Sequence, residues 1–157
     1  MAAPNSYKRD LMKADHDHLN DTIKVALGGD NTAYTFNSDA HEFVSDVFDN
    51  GTTGEELSDS SYSRQVASNP SVTEDTTDDE GVFDIDDVTF SSLDTAQDIQ
   101  FIVFYQQIGG DDTTPGDDRI IAIYDDDSAG SLSDLPLATN GSDVVLQIDS
   151  EGLVIIG

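Results

Sequence analysis

The apolar residues of this chain fall in short, dense runs, and most of those runs read as strands. Ile99 to Tyr105, Ile120 to Tyr124, Val144 to Ile148 and Leu153 to Ile156 are the clearest. Ile99 to Gln106 and Arg119 to Asp125 flank an Asp/Gly/Pro stretch, the pattern of a hairpin. Thr22 to Leu27 is a short β-rich run closed by Gly28, Gly29, Asp30 and Asn31. Ser61 to Ala67 alternates as a strand does, and Thr73 to Glu80 reads as an acidic, Thr-rich hairpin loop. From Val82 to Phe90 the pattern slips: Phe83 and Ile85 share one face, and Val88 and Phe90 resume one residue out of step. A bulge at Asp86–Asp87 would return both pairs to the core. Leu135 to Thr139, Val144 to Asp149 and Leu153 to Ile156 complete the set, the last two joined by a turn over Asp149 to Gly152.

Two segments keep helical spacing instead. Asn5 to Ala14 places Tyr7, Leu11 and Ala14 on one face, with Asn5 or Ser6 as N-cap. A helix this short is unstable alone, so it is predicted to pack on the body or on a neighbouring subunit. From Ser38 to Phe48, residues Phe43, Val44, Val47 and Phe48 recur at three and four residues, which predicts a second short helix. The expected architecture is therefore mainly β: an antiparallel, jelly-roll-like β-sandwich of about eight strands with two small helices. Residues 1–20 form an N-terminal helical arm and connector, and residues 21–157 form the sandwich domain.

Charge changes the picture of where such a domain is stable. There are 33 acidic residues against 6 basic ones, a formal net charge of −27. In dilute buffer that charge pushes a compact fold apart. At molar salt the Debye length falls to roughly 3 Å, and an acidic surface stays both folded and soluble. The alternative, disorder, conflicts with the clustering of the apolar residues. Asp greatly outnumbers Glu, which suits turns and strand ends more than helices.

The same composition excludes several chemistries. There is no Cys, hence no disulfide framework, thiolate metal site or cysteine nucleophile. No run approaches the roughly 18 apolar residues of a helical membrane span, and the N-terminus lacks an apolar signal core. Neither a membrane nor Sec export is expected. Nucleic acid is a poor partner for so anionic a body. Catalysis is not expected either: with 33 acids, carboxylate pairs arise by chance, no Trp is present to stack a sugar, and neither a nucleophile elbow nor a Gly-rich phosphate loop occurs.

The metal candidates are weak. Asp15-His-Asp-His18 reads better as a polar connector than as a ligand set, since alternate spacing in a loop carries little information. Asp84, Asp86 and Asp87 resemble part of a calcium loop but lack its bend glycine and terminal bidentate acid. No cofactor is implied; at most the carboxylates would take up sodium, potassium, magnesium or calcium ions.

Several segments, in order, carry a resemblance. Asn5-Ser-Tyr-Lys8 opens a helix, and Asp21-Thr-Ile-Lys-Val-Ala-Leu27 forms the first strand. Asp39-Ala-His-Glu-Phe43 with Ser45-Asp-Val47 follows, then Glu55-Glu-Leu57 and Tyr62-Ser-Arg-Gln65. Phe83 to Phe90, Ile102-Val-Phe104 and Asn140-Gly-Ser-Asp143 with Val145 to Ile148 close the series. Together they resemble small virion proteins of tailed viruses, known as tail-fibre-like, minor structural or head-decoration proteins. The Asp-rich loops at 111–118 and 125–127 depart from that pattern, as does Ser-Ser in place of a Gly before Tyr62.

The resemblance implies a non-enzymatic virion protein, here in a haloarchaeal-type acidic version. A capsid decoration or turret protein is the first expectation, forming a trimer or pentamer and docking on the major capsid protein or another virion protein. Four of the six basic residues lie in the first 24 positions, so the docking or subunit-contact residues are expected to be Tyr7, Lys8, Arg9, Leu11 and Lys13, with Arg64 on its strand. His41 is expected to fix a loop and the second helix. The alternative is a tail-associated adhesion or receptor-binding module using the loops near 106–119 and 125–134.

Overall fold

The structure, a computed structural model, describes residues 3–29, 34–48, 54–58, 60–94, 97–125 and 135–156. In chain order the elements are α1 (Asn5–Met12), β1 (Thr22–Gly28), α2 (Val44–Val47), β2 (Gln65–Val66), β3 (Ser71–Asp75), β4 (Glu80–Asp84) and β5 (Val88–Phe90). They continue with β6 (Asp98–Ile99), β7 (Phe101–Gln107), β8 (Arg119–Asp125), β9 (Leu137–Ala138), β10 (Val144–Leu146) and β11 (Val154–Ile156). The fold is mainly β and antiparallel, a sandwich of small sheets around one larger one. The larger sheet has the order β2-β1-β7-β8; the others are β11-β4-β3, β10-β5 and β6-β9.

The apolar runs explain the layering. A strand with one wet face alternates apolar and polar residues. In β1 six of seven residues are buried, and in β7 the first six are. Both faces of the large sheet are therefore covered. On one face Ile23, Val25, Leu27, Ile102 and Phe104 pack against Phe83, Ile85, Val88, Phe90 and Val154 of the smaller sheets and their connections. On the other, Ala26, Phe101, Val103 and Tyr105 pack against Tyr34, Val44 and Val47. The second face is tight. A Cβ on Gly28 would sit 2.1 Å from the Phe101 ring, and one on Gly54 would sit 2.8 Å from it. Phe101 in turn stacks on Tyr34 with centroids 4.0 Å apart.

The β7–β8 hairpin forms as its sequence predicts, with a register shift between Phe104 and Tyr105 that leaves Ile121 as the extra residue on β8. That is where the bulge lies. At Asp86–Asp87 the chain instead leaves one sheet for another: β4 pairs with β3 and β11, whereas β5 pairs with β10. Both apolar pairs still reach the core, because a break between sheets resets the side-chain phase as a bulge would. Thr73 to Glu80 is likewise more than a loop. Its first residues extend β3, and only the four between Asp75 and Glu80 turn. Splits of this kind give eleven strands among the described residues where about eight were expected. The turn after Asp149 joins β10 and β11, which belong to different sheets.

The second helix shrinks to one turn. Residues 42–44 lie along the edge of β8, where Phe43 bridges Arg119, the Ile120 N–H donates to the Glu42 carbonyl and the Val44 N–H to that of Asp118. A sheet edge thus takes the backbone groups that a longer helix would have used. Asp46 closes the turn that remains by accepting the N–H groups of Glu42 and Phe43 at 3.0 and 2.8 Å. Only Gln65–Val66 of the Ser61–Ala67 run pairs as strand, since side chains replace the ladder before it: Tyr62 accepts the Leu27 N–H at 3.0 Å.

Candidate functional site

The N-terminal arm lies against the body. Pro4 occupies the N-cap position of α1, and the Asn5 N–H donates to the Ser38 carbonyl at 2.9 Å. The far end closes with a Schellman pattern: the Asp15 N–H reaches the Asp10 carbonyl and the Ala14 N–H that of Leu11. Ala14 takes the left-handed conformation there, φ 57°, where glycine is usual. Tyr7 is only 2% exposed, and Leu11 packs at the edge of the core.

Around Tyr7 sit two histidines from the connector. The Tyr7 hydroxyl is 2.8 Å from His18 Nε2, and the His18 ring lies 4.3 Å from that of Phe83. His16 meets Tyr7 edge-on at 5.0 Å. Burial lowers the pKa of both imidazoles, and that of His18 falls to about 4 with the help of its His16 neighbour.

Two of the expected docking cations of this arm, Arg9 and Lys13, stay about half exposed but pair within the chain, on buried Asp10. Asp10 is 2% exposed and receives a fork from Arg9 at 2.7 and 3.0 Å and a third contact from Arg119 at 3.2 Å; Lys13 approaches to 3.7 Å. Arg9 also reaches Glu42 at 2.6 Å. The hydrogen bonds from Arg9 hold the Asp10 carboxyl below its usual range. Lys8 is exposed and, of the six basic residues, is the one without an ion-pair partner among the described residues.

Arg64 anchors a second internal network on the far side of β1. Its guanidinium forks onto Glu56 with two contacts of 2.7 Å, donates to the Tyr105 hydroxyl at 3.2 Å and lies over the Tyr105 ring, 5.4 Å from its centroid. Burial opposes its charge, but the bonds to Glu56 outweigh that and raise its pKa. Asp112 closes the cluster from the loop after β7. It accepts from Tyr105, Gln107 and the Lys24 ammonium. Burial would raise its pKa, and those three bonds together lower it. Asp118 pins the same loop by accepting the Ile108 N–H at 2.8 Å; fully buried, its carboxyl is pushed up.

His41 is buried in the loop before α2. Its Nδ1 accepts the Asn37 N–H at 3.2 Å and lies 3.0 Å from the Tyr34 hydroxyl, so it fixes the loop and the tyrosine that stacks on Phe101. Asp86 accepts from Asn69 and Ser68, and Asp87 from the Ile148 N–H. Asp84 faces neither of these partners, and one of its oxygens has no partner among the described residues. No three His, Asp or Glu side chains among the described residues converge as a metal site.

Between β10 and β11 opens an apolar groove of about 890 Å³, floored by Ile102, Phe104 and Tyr124, walled by Leu146 and Ile155, with Asp149 and Glu151 at its lip. Val145 (49%) and Ile156 (53%) stay exposed near it, and among the described residues each of the two strands is paired along one edge. The loop at 126–134 lies outside the described residues.

Glu56, Asp112 and Asp118 do not stand out as organising residues in a chain with 33 acids. Only Asp10 had a signal, an acid three positions from Tyr7 on an otherwise apolar helix face. Comparison with protein-family models, characterised proteins and solved structures finds no match to this chain.

Proposed function

We propose that the chain is a non-catalytic structural protein of a virus particle. It would be a decoration or turret protein of a tailed virus of concentrated brine, forming a homo-oligomeric ring and seated on the major capsid protein. The order of the virion-like segments along the sequence supports the class. The observation that carries the reading is the distribution of charge. Five of six basic residues are engaged in ion pairs within the chain, which leaves the surplus carboxylates to form an anionic exterior. Such an exterior stays hydrated in brine and contributes nothing attractive in dilute buffer.

The seat is then apolar instead of basic. With Arg9 and Lys13 turned onto Asp10, contact with an acidic shell rests on exposed apolar side chains such as Val145 and Ile156, whose burial salt strengthens. The loop after β7 is pinned by Asp112 and Asp118, which suits a fixed surface more than an adaptable receptor-binding loop.

Immunogold labelling of intact particles tests the assignment. Signal over the head supports it, and signal confined to the tail tip replaces it with the adhesion reading. Absence of label from purified particles refutes the virion role altogether. Purified protein should lose its fold on dialysis from about 3 M KCl to dilute buffer. Equal stability in both would remove the halophilic part of the proposal.

A further inference from the structure

We propose that the N-terminal arm is an acid-released latch, in which protonation of His16 and His18 undocks helix α1 from the body. This rests on the packing of the arm alone and is independent of where the protein resides.

Tyr7 is the arm's main anchor, and its hydroxyl meets His18 at Nε2. Burial keeps Tyr7 a neutral phenol, so it donates this bond and His18 accepts. A neutral imidazole then carries its proton on Nδ1, which has no hydrogen-bond partner among the described residues. Neither ring nitrogen of His16 has one either. A further proton on His18 turns Nε2 into a donor, forces the Tyr7 hydroxyl to reverse, and leaves the Nδ1–H of a cation unanswered. A proton on His16 adds a second positive charge beside it, with ring centroids 5.6 Å apart.

The surrounding groups divide. Asp17 and Asp21 favour charge on His18; Asp10, Asp15 and Asp21 favour it on His16, and Arg119 from β8 opposes it. From β4 comes Phe83, which covers the His18 ring and offers no hydrogen-bond acceptor. Burial outweighs the carboxylates at both rings. When the arm undocks, both imidazoles regain water and their ordinary basicity, so acid favours the undocked form. Other tethers also hold the arm. The Asn5 N–H donates to the Ser38 carbonyl and its side-chain amide to Asp39, the half-exposed Arg9–Glu42 pair is screened in brine, and Arg119 reaches buried Asp10 at 3.2 Å and Asp15 at 3.6 Å.

Amide hydrogen exchange on the full chain in about 3 M KCl, corrected for intrinsic rates, gives the test. Opening of residues 7–12 should rise roughly seventyfold between about pH 7.5 and about pH 4.5. That is the ratio for one ring titrating at 6.5 when free and about 4 when docked. The β7–β8 amides should hold their protection, which separates latch release from global unfolding. The double variant His16→Gln, His18→Phe keeps a ring over Phe83 without the proton site, and its arm should open equally at both pH values. Wild-type protection that ignores pH, or a double variant that opens as wild type does, overturns the proposal. Should the variant fail to fold, imidazole C–H titration of the wild type decides. Midpoints below about 5.5 support the latch, and midpoints near the ordinary 6.5 overturn it.

Discussion

Replacing Arg64 by Met separates an internal role for this residue from a role between subunits. The guanidinium is 11% exposed and makes two charge-assisted bonds to Glu56, one to Tyr105, and a stacked contact on the Tyr105 ring. Methionine fills much of the same volume, so the loss is electrostatic rather than a cavity. Removing one partner of a buried ion pair costs about 3–5 kcal/mol, because the other charge is left desolvated. Here Glu56 is 27% exposed and water can reach it, and Asp112 keeps Lys24, so the lower end applies. The expected loss is about 3 kcal/mol. Glu56→Gln should cost about 2 kcal/mol, and the double variant little more than Arg64→Met alone, a coupling of about 2 kcal/mol. Arg64→Lys should recover less than half, since an ammonium neither forks nor stacks as a guanidinium does. Urea unfolding in about 2 M KCl, at concentrations where the protein is monomeric, measures all four. A loss under about 0.5 kcal/mol for Arg64→Met, accompanied by failed assembly, would refute the internal network and return Arg64 to a subunit interface.

Three further outcomes are expected. Deleting residues 1–14 removes Tyr7 and Asp10 from the folded body, so monomer stability should fall by about 4 kcal/mol in urea titration; unchanged stability would mean the arm is a projecting extension. Gly28→Ala drives a methyl into the Phe101 ring at 2.1 Å and should cost about 3 kcal/mol, read as a lowered thermal midpoint, unless Phe101→Leu accompanies it. Asp118→Asn keeps an acceptor for the Ile108 N–H while removing a buried charge. Because burial raises the Asp118 pKa, the wild type loses stability as pH rises from 3.8 through that raised value. The variant should match the wild type near about pH 3 and exceed it at neutral pH; a variant less stable at pH 7 would show that the carboxylate is favourably held.

The β7–β8 hairpin, β1 and α1 were legible because each is coded locally. An apolar run with turn residues beside it, or an apolar face at helical spacing, needs no distant partner to be read. In residues 38–48 the second short helix is present but shorter than its spacing predicts, for the opposite reason. Their spacing suits a helix, yet the open edge of β8, some 75 residues away, offers Arg119 and Ile120 as partners for Phe43 and Glu42. The phase slip at 85–88 was visible, but a bulge and a change of sheet leave the same trace in one dimension. His41 was readable as a loop residue because its partners, Tyr34 and Asn37, lie within seven positions.

The sequence by itself determined the mainly β class and the positions of the long apolar strands, because periodicity and composition are sums over local positions. Only the tertiary structure decided which of the carboxylates matter. Asp10, Glu56 and Asp112 are chemically like their neighbours until folding brings Arg119 across 109 positions to Asp10, Arg64 to Glu56 and Lys24 across 88 to Asp112. Tertiary packing likewise set two histidines against Tyr7 and, through His18, against Phe83. Burial in that contact, which no local pattern encodes, is what makes their proton affinity depend on whether the arm is docked.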